Sequence, residues 1–270
     1  MVDIDVPPAY SRLPEPLIGA MRELARTKRL LVALDFDGTL APEVDEPEQA
    51  RATPEAREAV LRLLEMPHTR VALVSGRAIG SLEQVANLPD NALLVGSHGI
   101  ELRLDTPARL NLNTTELDQV DVLGEMLGEV ADSLDQVWIE SKPAGFALHT
   151  RLATEEDSRM AHLVALRETA AEFDDLTVRA GKNVLEFSVR STTKGEAIEH
   201  LREYTKATAV FFAGDDVTDE DAFAALGADD LGLKSGEGAT LANYRVHGPQ
   251  QIARALALLA DLREGDVHEQ

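Results

Sequence analysis

The chain has no cysteine, a single tryptophan, and aromatic residues at only 4% of its length. Without thiols there are no disulfides, thiolate metal ligands or cysteine nucleophiles, so covalent chemistry must use oxygen or nitrogen, and a reducing compartment is the natural setting. Cations are also scarce: 26 Lys and Arg stand against 48 Asp and Glu, a formal net charge of −22. That field repels phosphate backbones and anionic membranes at long range, which argues against nucleic acid as a partner. A small anionic substrate remains compatible, because a local cation cluster outweighs a screened distant field. No apolar run reaches the roughly 20 residues needed to cross a bilayer. The opening MVDIDVPPAYSRLPEP lacks the basic-then-apolar order of a secretory leader. The expectation is a cytoplasmic chain with no membrane contact, and a monomer is favoured.

What is present is aliphatic. Hydrophobic residues make up 44% of 270, enough for one large domain or two unequal ones. RLLVALDF, RVALVSG and NALLVGSHG read as strands too solidly apolar for a one-sided sheet. TPEAREAVLRLLEM reads as a helix with Thr53 as N-cap and Pro54 in the first turn. Strand and helix in alternation predict an α/β fold, a Rossmann-like parallel sheet covered on both faces. From about residue 105 the texture changes. VWIESKPAGFALHTRL and LTVRAGKNVLEFSVR read as hairpins around a helix, which predicts a smaller inserted unit with antiparallel strands. After about residue 187 the alternation returns. The predicted division is a core of 1–104 and 188–270, interrupted by an insert of 105–187.

Three polar motifs fall where strands of the core should end: DFDGT after the first strand, SGR at 75–77, and GDDVTDE at 214–220. Ligands in open parallel sheets bind at the carboxyl ends of strands. Gathered there, Asp35, Asp37, Asp215, Asp216 and Asp219 would repel one another strongly unless a cation joined them. An all-oxygen set with no cysteine and no clustered histidine points to Mg²⁺. Asp35 and Asp215 are the expected side-chain ligands, with a main-chain carbonyl at Asp37 and with Asp216 and Asp219 behind them. Lys194, opening a helix in TTKGEA, is the expected balancing cation.

These motifs, in this order, resemble the haloacid dehalogenase superfamily of phosphatases. The resemblance implies that Asp35 is a nucleophile forming an aspartyl-phosphate. It implies that Asp37 protonates the leaving oxygen and then activates water, and that Ser75 and Lys194 hold the phosphoryl oxygens. It also implies that the insert is a cap of the C2 type. The chemistry is self-consistent, since two displacements require a nucleophile and a separate acid/base, and aspartates at i and i+2 supply both.

In the insert, ESK, HTR and GKNVLE, together with SGR, GSHGIE and GDDVTDEDAF, resemble the trehalose-6-phosphate phosphatase family over about residues 28–260. That resemblance implies hydrolysis of trehalose 6-phosphate by a stand-alone phosphatase. Glu140, Lys142, Arg151, Lys182, Asn183 and Glu186 would contact the sugar rings, with Arg77 and His98 at the mouth of the core. His149 reads as structural and Trp138 as packing, with sugar stacking as the alternative for the indole. A sucrose-phosphate or mannosyl-3-phosphoglycerate phosphatase is the nearest competing reading. A phospho-accepting receiver-like domain is a distant one, in which Asp37 would have no purpose.

Overall fold

The computed structural model describes residues 13–44, 46–181 and 183–268. The chain divides into two compact units, one made of the residues up to Arg109 with those from Thr193 onward, the other Leu110–Thr192. In chain order the first segment holds α1 (Glu15–Ala25), β1 (Leu30–Leu34), α2 (Pro54–Glu65), β2 (Thr69–Val74), α3 (Ile79–Ala86), β3 (Leu93–Gly96), β4 (Glu101–Arg103) and β5 (Arg109–Leu110). The insert holds α4 (Thr114–Asp132), β6 (Trp138–Lys142), β7 (Gly145–His149), α5 (Glu155–Glu172), β8 (Thr177–Gly181) and β9 (Val184–Ser188). The chain ends with α6 (Lys194–Thr205), β10 (Ala209–Gly214), α7 (Asp219–Ala224), β11 (Leu231–Ser235), β12 (Tyr244–Val246) and α8 (Pro249–His268).

Among the described residues the large sheet runs β12-β11-β10-β1-β2-β3-β4-β5. Its six strands from β12 to β3 are parallel, and β4 pairs antiparallel with β3. All five residues of β1 are buried, and they split between two cores by the pleat. Leu30, Val32 and Leu34 pack with Leu17, Met21, Leu63 and Leu256 from α1, α2 and α8. Leu31 and Ala33 pack with Ile198 and Phe223 from α6 and α7. Helices on both faces explain why the strand has no polar side to alternate with.

The smaller unit has a four-stranded antiparallel sheet, β6-β7-β9-β8. Leu148, Leu185 and Phe187 on one face pack with Leu123, Leu127 and Val130 of α4 and with Ala161 and Ala165 of α5. The pattern reading overlooks α4, although its signals are present. Asn113 and Glu116 form a reciprocal capping box, and Leu123, Leu127, Val130 and Ala131 recur at helical spacing. The unit boundaries also lie a few residues beyond the change in texture. β4 and β5 continue the large sheet, and the Val189 N–H donates to the Ala144 carbonyl at 2.9 Å, keeping the chain with the small sheet past Ser188.

Candidate active site

β1 lies between β10 and β2, with Leu34 in register with Ala213 and Leu73. The residues that follow, Asp35, Ser75 and Asp215, therefore emerge side by side. Asp35 extends the ladder one residue, its N–H donating to the Ala213 carbonyl at 2.9 Å. The N–H groups of Leu40 and Ala41 both donate to the Phe36 carbonyl, closing a turn over residues 36–41. Gly38 sits in that turn at φ +73°, where a Cβ would lie 2.0 Å from an Asp215 carboxylate oxygen. Glycine is needed there both for the left-handed backbone and for the close approach. Gly38→Ala is expected to destabilise the fold by about 1–3 kcal/mol and to displace Asp215. Thermal unfolding and a cation titration read the two effects separately.

The acids gather as the motifs imply. Asp35, Asp215 and Asp219 each place a carboxylate oxygen within 4.8 Å of the others. Lys194 sits among them, 3% exposed, its Nζ donating to Asp35 Oδ1 at 2.8 Å and to Asp219 Oδ1 at 2.7 Å. The capping box of Thr193 and Glu196 starts α6, and this fixes the lysine at the first helical position. Asp219 is engaged on both oxygens, because its Oδ2 accepts the N–H groups of Asp215 and Asp216 at 2.9 Å each. Thr39 donates to Asp215 Oδ1 at 2.9 Å.

One lysine does not balance three carboxylates. Burial pushes the Asp35 carboxyl up to about 8; Lys194 opposes that rise, while Asp219 and Asp215 add to it. Asp215 is also raised, again by burial first. Lys194 is held above its ordinary value, since the attraction of Asp35 and Asp219 outweighs its own desolvation. A buried, all-oxygen group with excess negative charge has the donor chemistry of a hard cation site.

Asp37 has a different setting. Its side chain is 37% exposed, and Arg77 grips it with both arms of the guanidinium, Nε to Oδ2 at 2.6 Å and a terminal nitrogen to Oδ1 at 2.7 Å. The fork fixes the carboxylate's orientation. Arg77 also donates to Ser81 Oγ at 3.2 Å, so in this structure it serves the core itself. Ser75 is buried, with its Oγ accepting the Arg77 N–H at 3.2 Å. His98 stands at φ +57° in the turn after β3. Its N–H donates to the Ser75 carbonyl at 3.0 Å, and its ring lies where a Cβ on Gly76 would fall, 2.7 Å away. The structure thus brings Asp35, Asp37, Ser75, Arg77, His98, Lys194, Asp215, Asp216 and Asp219 to one end of the sheet.

The insert residues lie in their own unit. Glu140 and Lys142 on β6 and Glu186 on β9 share the face opposite the helices, and Glu140, Ala147, Glu186 and Arg179 form one row across the sheet. Glu140 accepts from Lys142 Nζ at 2.6 Å and meets His149 Nε2 at 2.8 Å. The His149 ring stacks on Trp138 at 5.1 Å, and the Arg151 guanidinium lies 5.2 Å over the same indole. Trp138 therefore organises polar neighbours, a role composition does not reveal. Asn183 stands at φ +58° in the β8–β9 turn, its carbonyl accepting the Thr150 N–H at 3.0 Å. Lys182 lies outside the described residues. Pattern reading overlooks Arg179, Thr39, Lys234 and Ser235, and takes His149 only as structural. For Thr39 the signal was its place in DFDGT. Arg179 could have been found by pairing β8 with β9 through the turn between them.

A family model described as trehalose-phosphatase matches residues 33–246. The chain is 31% identical to a trehalose-phosphate phosphatase of Mycobacterium marinum, over 93% of its own length and 66% of that protein's. It thus spans just under two thirds of that relative. Its fold resembles Aspergillus fumigatus trehalose-6-phosphate phosphatase with a TM-score of 0.69 at 23% identity, covering 90% of this chain and 97% of that one. A crystal structure of a trehalose-6-phosphate phosphatase related protein aligns with a TM-score of 0.64 at 26% identity, covering 89% of this chain and all of the other. Taken with the strand-end acids and their buried lysine, the family match over residues 33–246 decides the matter: the chain belongs to the trehalose-phosphatase family.

Proposed function

We propose that this chain hydrolyses trehalose 6-phosphate to trehalose and inorganic phosphate, with Mg²⁺ as cofactor, through an aspartyl-phosphate on Asp35. The observation that carries the reading is the buried Asp35–Lys194 pair inside the acid cluster at the strand ends, in a chain of this family. Asp35 and Asp215 would hold the cation, with the main chain at Asp37; Asp216 and Asp219 stand behind them. When bound, Mg²⁺ supplies charge neutralisation for the phosphate dianion and its transferring phosphoryl group.

The chain's own groups divide the work. A carboxylate oxygen of Asp35 attacks phosphorus as the bond to the sugar oxygen breaks, and Asp37, once Arg77 has released one of its oxygens and that oxygen has taken a proton from solvent, gives the proton to the leaving oxygen. Asp37 then takes a proton from the water that attacks phosphorus, and the bond to Asp35 breaks to release phosphate. Burial suits Asp35 to the first role, because a desolvated nucleophile reacts without shedding water. Exposure suits Asp37 to exchanging protons. Ser75 and Lys194 hold phosphoryl oxygens that carry charge in transfer. Arg77 keeps Asp37 oriented until the leaving oxygen takes its place.

The metal-free site sets a pH dependence. The Asp35 carboxyl retains its proton up to about pH 8, and a cation requires the carboxylate. Mg²⁺ affinity is expected to climb as pH rises toward 8 and to level off above it, read by thermal shift against Mg²⁺ concentration from pH 6 to 9. A flat profile would remove this account.

We assign recognition of the sugar to the smaller unit, through Glu140, Lys142, Arg151, Lys182, Asn183 and Glu186, with Arg77 and His98 on the core. Glu186→Ala or Lys182→Ala is expected to raise KM for trehalose 6-phosphate by about tenfold or more with little change for p-nitrophenyl phosphate. Equal losses on both substrates would mean that these residues do not read the sugar. The decisive measurement is phosphate release across trehalose, sucrose, glucose and mannosylglycerate phosphates. Preference for any but the first would overturn the substrate assignment. A cytoplasmic, monomeric enzyme completes the reading, checked by fractionation and light scattering. Among the described residues no helix is long and apolar enough to cross a membrane.

A further inference from the structure

β11 is buried throughout, yet it ends in two polar residues, Lys234 at 3% exposure and Ser235 at 2%. An ammonium so far from water persists only where fixed partners replace its hydration. Lys234 Nζ donates to the Asp216 main-chain carbonyl at 3.2 Å and to Glu220 Oε1 at 3.1 Å. The other oxygen of Glu220 accepts the Leu241 N–H at 2.7 Å. Ser235 points to the opposite face, as the next residue in a strand must, and donates to the Gly38 carbonyl at 2.9 Å. Asp216 stands between Asp215 and Asp219, and Gly38 follows Asp37. Two consecutive side chains of one strand therefore grip the backbone of both acid-bearing loops. Neither takes part in the bond-making steps above.

We infer that β11 is the brace of the cation site, with Lys234 and Ser235 as positioning residues that hold the 215–219 loop and the 37–38 turn together before a cation arrives. Like-charged carboxylates relieve their repulsion by moving apart, and loops are the softest parts able to move. A hydrogen bond to each loop's main chain, made from a rigid buried strand, blocks that escape. Lys234 also sets a positive charge against the acid loop, at the Asp216 carbonyl. Groups that orient metal ligands from behind in this way change metal affinity by about 10–100-fold when removed.

The inference rests on the cation-assisted reading of the site and not on the identity of the sugar. Its test is a Mg²⁺ titration by thermal shift without substrate, paired with phosphate release as Mg²⁺ is varied. The wild-type protein must first show a Mg²⁺-dependent rise; its absence would defeat the cation reading itself, a failure separate from that of the brace. For Lys234→Met the Mg²⁺ midpoint is expected to increase by about tenfold or more. For Ser235→Ala, which loses one neutral bond, about threefold is expected. The Mg²⁺ needed for half-maximal phosphate release should move in parallel, with substrate KM at saturating Mg²⁺ unchanged. Lys234→Arg, which keeps the charge and the donors, should recover part of the loss. If Lys234→Met does not fold, Ser235→Ala and Glu220→Gln carry the test. Mg²⁺ midpoints within twofold of wild type in the folded variants would overturn the brace.

Discussion

Asp35→Asn is expected to reduce phosphate release by about 10⁴-fold or more, the scale on which losing a covalent nucleophile is felt, while leaving the fold intact. The amide keeps the shape of the side chain and can still meet Lys194 through its oxygen. It removes an ionisable group that lies within 4.8 Å of two other carboxylates, so the metal-free protein no longer bears the penalty that grows as Asp35 loses its proton toward about pH 8. Melting temperature without metal should therefore hold or rise even as turnover disappears. Mg²⁺-dependent stabilisation should shrink, because an expected ligand has lost its charge. Mass analysis after rapid acid quench should find a phosphorylated adduct in the wild-type protein and none in the variant. Turnover within tenfold of wild type would remove Asp35 as the nucleophile.

Lys194→Met carries the second large effect, and it acts on stability as well as rate. The lysine is held by two carboxylates at 2.8 and 2.7 Å in a buried position. Removing one member of such a group leaves its partners unpaired, at a cost of about 3–5 kcal/mol. Thr193 and Glu196 still cap α6, so the loss belongs to the charge cluster and not to the helix. Mg²⁺ should restore part of the stability, and more of it than in wild type, because the cation takes over the missing positive charge. The rate should fall by about 10²–10³-fold at saturating Mg²⁺, as when one preorganised donor to transferring charge is lost.

The pH dependence follows from the direction of the shift. A carboxyl whose pKa is raised in the folded state binds its proton more tightly there than in the unfolded chain. Folding of the metal-free protein is thus favoured below the unfolded value near about 4 and penalised as pH rises toward about 8. Lys194 holds the Asp35 pKa down, so losing it extends that decline to higher pH. Metal-free stability unchanged between pH 5 and 8 in both proteins would mean that the cluster is not strained by its own charge.

Much of the architecture was legible in the chain itself. β1, β2 and β3 announce themselves as solid apolar runs because both faces of the sheet are covered. DFDGT, SGR and GDDVTDE sit where those runs and β10 stop. α4 was less legible, since its apolar stripe of Leu123, Leu127 and Val130 is interleaved with acids and glycines that dilute the pattern. The partnership of Arg77 with Asp37 could not be read either. An arginine beside a candidate phosphate site suits substrate as well as protein, and only the 2.6 and 2.7 Å contacts show which it meets here. His149 reads as a structural residue until β6 pairs with β7 and sets its ring against Trp138 and Glu140.

By itself the sequence determined the α/β class, the position of the acids at strand ends, and an excess of negative charge where they gather, because these follow from apolar periodicity and from the placing of the acidic motifs. Tertiary structure alone decided which acids share Lys194, which carboxylate is buried and which is open to water, and that β11 reaches both acid loops. Those outcomes depend on strand order and register. They bring residues some 160–200 positions apart within hydrogen-bonding distance, and no local pattern encodes such a meeting.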